Sequence, residues 1–140
     1  MFLIDTNVVS EIRKGPRANR GVIRFFAEDA PTEQTYLSVI TVGEIQRGVL
    51  LAKHHGDLPY SILLEGWLRK VIIQFGSRIL DFDETCAREW AAMLVPHAQN
   101  QIDKQIASIA RVYGLSLVTR NVKHFERLGV KLVNPFTQDH

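Results

Sequence analysis

Short apolar runs alternate along this chain with longer stretches in which apolar residues recur every three or four positions. Phe2–Ile4 is an unbroken apolar triplet and reads as a buried strand. Val8 to Arg13 follows with a helical pattern stopped by Gly15-Pro16, and Asn19 to Phe26 reads as a second helix. Thr35–Ser38 (TYLS) is the next strand. Ile40, Ile45, Val49 and Ala52 mark one face of a helix ending before His54-His55-Gly56. Leu63, Trp67, Val71 and Phe75 mark another, after Pro59. Arg78–Asp81 (RILD) is a third strand, and Glu84 to Leu94 a helix stopped by Pro96. Ile102, Ile106, Ile109 and Tyr113 define the last long helix, Asp103–Tyr113, with Gly114 where a C-terminal cap belongs. Leu115–Val118 (LSLV) and Lys131–Val133 (KLV) complete the strands.

The strands are continuously apolar rather than alternating, as burial on both faces requires. Strands of that kind interleaved with helices predict an α/β fold, a three-layer α/β/α sandwich with a short, mostly parallel sheet. At 140 residues the chain is expected to form a single domain, 1–140.

Composition narrows the function without deciding it. The formal net charge of +2 is not that of a polycation. Locally, Arg13, Lys14, Arg17, Arg20 and Arg24 form a basic run with no acid among them, and bases outnumber acids from Asn100 onward. Such patches suit a polyanion, and from charge alone they also suit solvated helix faces. A single cysteine, Cys86, excludes an internal disulfide and a thiolate zinc cluster. No apolar run approaches the roughly 20 residues of a membrane span. Asp5 interrupts the only N-terminal apolar stretch, so the expected setting is the cytoplasm.

The chemistry starts at Asp5. An acid at the end of a buried strand carries a desolvation cost unless something pairs with it. Thr6 or Asn7 could satisfy it, and a cation would do so better. In an open parallel sheet, ligands bind at the carboxyl ends of the strands. Asp5 lies at that edge, and Thr119, Arg120 and Asn121 lie just past LSLV. Asp103 begins the helix feeding into LSLV, and Glu44 is about one turn into the helix after TYLS. If the strands are neighbours, Asp5, Glu44, Asp103 and Asn121 converge. Taken singly each has an ordinary explanation: a first-turn helix acid, a solvated helix residue or a turn residue. Crowded carboxylates repel unless a divalent cation separates them. Oxygen ligands without thiolates suit Mg²⁺ or Mn²⁺, which points to metal-assisted attack of water on a phosphodiester.

Four blocks, LIDTNVVSEIRK, YLSVITVGEIQRGV, IDKQIASIARVYGLSLVTRNVKHF and VKLVNPF, span most of the chain. In that order they resemble the PIN-domain ribonucleases, in particular the VapC-type toxins of VapBC (FitAB-like) toxin–antitoxin pairs. The resemblance implies a Mg²⁺-dependent endoribonuclease that cuts RNA and halts translation. It also implies a dimeric toxin held inactive by a VapB-like antitoxin, as homodimer or toxin–antitoxin hetero-oligomer, with no membrane partner. It places the acidic, metal-binding site on Asp5, Glu44 and Asp103, with Thr6, Asn7, Ser38 and Thr119 as supporting polar residues.

One departure bears on the chemistry. The family offers an acid where Asn121 stands or three residues later, and here that later residue is His124. Three formal negative charges imply one metal held firmly, with a second only alongside substrate phosphate. His124 is open to three readings, a nitrogen ligand, a phosphate contact or a surface turn residue, and the turn is preferred. Lys14 and Arg17 are the other candidate RNA contacts. His54 and His55 have no partner at zinc spacing and read as solvated. The small residues Ala107, Ala110 and Gly114 read as close helix-on-sheet packing. The apolar stretch Ile62–Phe75, with the helix Ile40–Leu51, reads as core or as an antitoxin-docking surface. A haloacid-dehalogenase-like phosphatase is disfavoured by Asn7 in place of a second Asp, and a receiver domain by the absence of its acidic run and Lys. The competing reading from another class is a PIN-like module that binds RNA or antitoxin without cleaving.

Overall fold

The computed structural model describes residues 1–138. Five strands form one parallel sheet: β1 (Phe2–Ile4), β2 (Thr35–Ser38), β3 (Ile79–Leu80), β4 (Ser116–Val118) and β5 (Leu132–Val133), in the order β3-β2-β1-β4-β5. The chain builds outward from β1 on one side, then crosses to its other side at β4. The connection therefore reverses direction between β1 and β4, and the crevice at their carboxyl ends is the topological switch point of the sheet.

Residue alternation in the central strands separates two apolar layers. Ile4, Leu37 and Val118 face α1 (Thr6–Ile12), α2 (Arg20–Arg24), α3 (Val39–His54) and α4 (Leu58–Phe75). Leu3 and Leu117 face α5 (Glu84–Met93), α6 (Gln101–Tyr113) and α7 (Val122–Phe125). This is the expected three-layer α/β/α arrangement.

Several boundaries differ from the sequence reading, and polar caps account for two of them. α1 begins at Thr6, two residues early, because the Asp5 carboxylate accepts from the Thr6 N–H. α4 begins at Leu58 because Asp57 accepts from the Tyr60 N–H and Pro59 fits the first turn. α3 continues through His54. α2 is short, and the chain continues as a π-helical turn over Phe25–Asp29. α6 starts at Gln101, so Asp103 is its third residue. Gly114 closes α6 in the left-handed conformation expected of a cap, at φ 67°. Ala107 and Ala110 are fully buried against the sheet, and His54 and His55 are exposed. Among the described residues no helix is long and apolar enough to cross a membrane.

Candidate active site

Asp5 is the last residue before α1, and its N–H donates to Val118 O at 2.9 Å, which locks it beside the end of β4. Its side chain is 3% exposed. Three donors hold it: the Thr6 N–H on Oδ1 at 2.8 Å, and the Thr119 hydroxyl at 2.7 Å and Asn7 Nδ2 at 3.2 Å on Oδ2. No basic side chain of the described residues pairs with it. Burial pushes the Asp5 carboxyl up from 3.8 to about 6; the bonds from Thr119 and Thr6 oppose this, and the nearby Asp103 and Glu44 charges add to it.

Glu44 reaches the site from the second turn of α3. Its Oε1 accepts from the Thr6 hydroxyl at 2.5 Å. That hydroxyl also lies 3.0 Å from Thr41 Oγ1, and Ser38 Oγ, 3.2 Å from Thr41 Oγ1, accepts the Thr41 N–H. Each hydroxyl has one proton, so the chain has one consistent direction: Ser38 donates to Thr41, Thr41 to Thr6, and Thr6 to Glu44. Ser38 and Thr41 are fully buried, and this relay fixes the Glu44 carboxylate from behind. Thr41 was not singled out in the sequence. Its only signal there is its place three residues after the Ser38 cap.

Asp103 is half-buried on the first turn of α6. Its Oδ2 lies 2.8 Å from His124 Nδ1. His124 is exposed, as a surface residue, and lies in the short helix α7 rather than in a turn, with its imidazole meeting an acid of the site. Asn121 is exposed. Its backbone N–H donates to the Thr119 hydroxyl at 3.0 Å, and its side chain makes no hydrogen bond among the described residues. Asp5, Thr6, Asn7, Ser38, Glu44 and Thr119 therefore form one bonded network. Asp103 and His124 form a second pair, and the Asp103 charge acts on Asp5.

The basic run does not form one patch. Arg13 turns away and lies over the Tyr60 and Trp67 rings of α4, 5.6 Å from each centroid. Lys14 pairs with Glu11 at 2.9 Å. Arg17 and Arg20 line a separate pocket with Arg120.

The PIN domain family profile matches residues 2–131. The chain belongs to the PIN domain family. This PIN domain is 32% identical to Toxin FitB of Neisseria gonorrhoeae, over 97% of the chain and 99% of that protein. It is also 32% identical to VapC ribonuclease Y4jK of Sinorhizobium fredii, over 97% of the chain and 98% of that protein. Its fold matches the crystal structure of FitAcB from Neisseria gonorrhoeae with a TM-score of 0.81 and 32% identity, covering 96% of this chain and 98% of that one.

The donor set of this PIN domain is hard oxygen. Among the described residues no three His, Cys, Asp or Glu side chains are spaced to enclose a metal ion by themselves. Buried carboxylate charge without a cationic partner, but also without a closed cage, fits an ion that keeps several waters and completes its shell with phosphate oxygens. Mg²⁺ behaves in that way, whereas structural zinc does not.

Proposed function

We propose that this chain is the toxin of a toxin–antitoxin pair and acts as a Mg²⁺-dependent endoribonuclease of the cytoplasm, with Mn²⁺ as a possible substitute. The observation that carries the reading is Asp5. Its carboxylate is buried, its charge is opposed by that burial, and the charges of Asp103 and Glu44 reach it. A fold does not retain such an arrangement for stability, and a divalent cation makes it favourable. The names of the toxin and ribonuclease relatives support the same reading.

Asp5, Glu44 and Asp103 are the residues that would hold the cation. When bound, it supplies a water of lowered pKa and charge stabilisation at the scissile phosphate. The chain's own side chains do the positioning. Thr119, Asn7 and the Thr6 N–H fix both Asp5 oxygens. The Ser38–Thr41–Thr6 relay aims Glu44, and His124 orients Asp103. Asn121, exposed just past β4, would be free to contact substrate.

The partner surface is proposed on α3 and α4. Leu50, Leu58, Ile62, Leu63 and Ile73 are exposed there, and they suit an apolar segment of a VapB-like antitoxin or a second copy of the chain. The competing reading, a module that binds RNA or antitoxin without cutting, draws on His124 at a position where the family offers an acid. Incubating purified protein with total RNA separates the two. Cuts that need Mg²⁺ or Mn²⁺, stop with chelator and vanish in Asp5→Asn establish the enzyme. RNA retention without cuts establishes the module.

A further inference from the structure

The proposed site accounts for the acids but not for a pocket that opens beside them. About 340 Å³ in volume, it lies between the end of α1, the start of α2 and the C-terminal segment. Its lining includes Lys14, Arg17, Arg20, Arg120 and Phe136 around the buried Glu11. Glu11 offsets only one of the four positive charges: its carboxylate pairs with Lys14 Nζ at 2.9 Å, accepts the Asn19 N–H at 2.8 Å and also feels the Arg120 charge. Arg17, Arg20 and Arg120 make no salt bridge among the described residues. The Arg120 guanidinium lies over the Phe136 ring, 4.7 Å from its centroid.

This aromatic wall is built rigidly. The Phe136 N–H donates to Asn134 Oδ1 at 3.0 Å, and the Thr137 N–H to Asn19 Oδ1 at 3.0 Å. Asn19 Nδ2 returns a bond to Thr137 O at 2.8 Å. The pocket is also wired to the acids through one residue. Asn7 Oδ1 accepts the Arg120 N–H at 3.1 Å, and Asn7 Nδ2 donates to Asp5 Oδ2 at 3.2 Å.

We propose that this pocket is a nucleotide subsite for single-stranded RNA: the Arg120–Phe136 pair stacks one base flanking the cut, and Arg17 and Arg20 hold the adjoining phosphates. A guanidinium layered on a ring is a flat platform for an unstacked base, and unpaired guanidiniums suit phosphate. A paired helix would keep its bases inside the stack, so the occupant is a single strand or loop. An acidic peptide would engage the arginines but gain little from the platform. The inference rests on the ribonuclease reading and names where its substrate strand lies.

The test is fluorescence anisotropy of a labelled single-stranded RNA decamer on the full chain in EDTA, alongside Mg²⁺-dependent cleavage of total RNA by the same preparations. Arg120→Ala and Phe136→Ala are each expected to weaken decamer binding about tenfold, and Phe136→Trp to restore it. Arg17→Ala and Arg20→Ala are each expected to lower the slope of log affinity against log salt by about 0.7, while Lys53→Ala on α3 leaves it unchanged. Decamers with a single abasic nucleotide at successive positions identify the stacked base. Abasic substitution there weakens binding to the native chain but not to Phe136→Ala, a coupling that a fold defect cannot mimic. Arg120 is exposed, so its variant keeps the test valid if Phe136→Ala folds poorly. Metal-dependent cleavage with decamer affinity unchanged in Arg120→Ala would overturn the subsite and leave the ribonuclease reading standing. Absence of both RNA binding and metal-dependent cleavage in the native chain would overturn the reading itself.

Discussion

Asp5 is a residue whose two states have opposite consequences for folding and for chemistry. With its carboxyl raised from 3.8 to about 6 by burial, the folded protein binds a proton that the unfolded chain has already released. Stability without added metal therefore falls as pH rises from about 4 through 6, by about 3 kcal/mol in total, and stays low above that window. Asp5→Asn removes the charge but forfeits one of the acceptor positions used by Asn7 and Thr119. The variant is expected to be about 1–2 kcal/mol more stable than the native chain at pH 7.5 in EDTA, measured by urea unfolding. It is also expected to lose RNA cleavage by at least about 100-fold and to lose the rise in Tm that Mg²⁺ gives the native chain. A variant that is less stable in EDTA, yet still stabilised by Mg²⁺, would contradict this account of the site. His124 sets a second expectation at the same scale. Standing where the family offers an acid, it leaves the site one acid short, so calorimetric titration should find one tight Mg²⁺ site in the native chain and a second in His124→Asp. Two tight sites in the native chain would contradict it.

Among the elements, α2 and the C-terminal segment have to be considered together. Gly21 stands where they cross, and a Cβ placed on it would lie 2.2 Å from Pro135 O and 2.6 Å from the Thr137 side chain. Backbone cannot yield as a flexible side chain can. Gly21→Ala is thus expected to push Pro135–Thr137 off Asn19, at a cost of about 1–3 kcal/mol in unfolding free energy. A Tm unchanged by the substitution would show that the segment is not clamped. This crossing also illustrates what was legible in the sequence. The apolar strands, the Gly114 cap and the place of Asp5 at the end of β1 were legible because burial pattern, cap chemistry and the parallel-sheet rule are local or topological. The Arg120–Phe136 pair and Thr41 were not, because each acquires its role from a neighbour distant in the chain or hidden beneath it. The early start of α1 is a smaller case: Asp5 acts as helix cap as well as site acid, and the apolar pattern registers neither. The contact of His124 with Asp103 was not legible because a four-residue helix has no periodicity to reveal where its side chain points.

For the whole molecule, the two faces of α3 carry different tasks. Its first turns, capped by Ser38, hold Thr41 and Glu44 against Thr6 of α1, while Leu50, near its other end, is 56% exposed. Across from it α4 buries Leu64, Leu68 and Val71 but leaves Leu63 64% and Ile73 80% exposed. Beside them a groove of about 400 Å³ runs between Arg13, Ile62, Leu63, Trp67 and Lys70. Arg13, with its guanidinium over the Trp67 ring, narrows one wall of that groove. Exposed aliphatic residues on this face add nothing to the stability of the isolated chain, and they lie away from the acids. Leu63→Asp and Ile73→Asp should therefore change unfolding free energy by less than about 0.5 kcal/mol. Metal-dependent RNA cleavage by the free chain should be retained. Association should not: co-expressed with its antitoxin, the double variant should elute in size-exclusion chromatography with light scattering at the mass of the lone chain, whereas the native chain elutes as the complex. Retention of the complex would move the partner surface elsewhere on the fold. Loss of cleavage together with loss of the complex would mean that α4 transmits the state of its apolar face through α3 to Glu44, and hydrogen exchange at Thr41 would then rise in the variant.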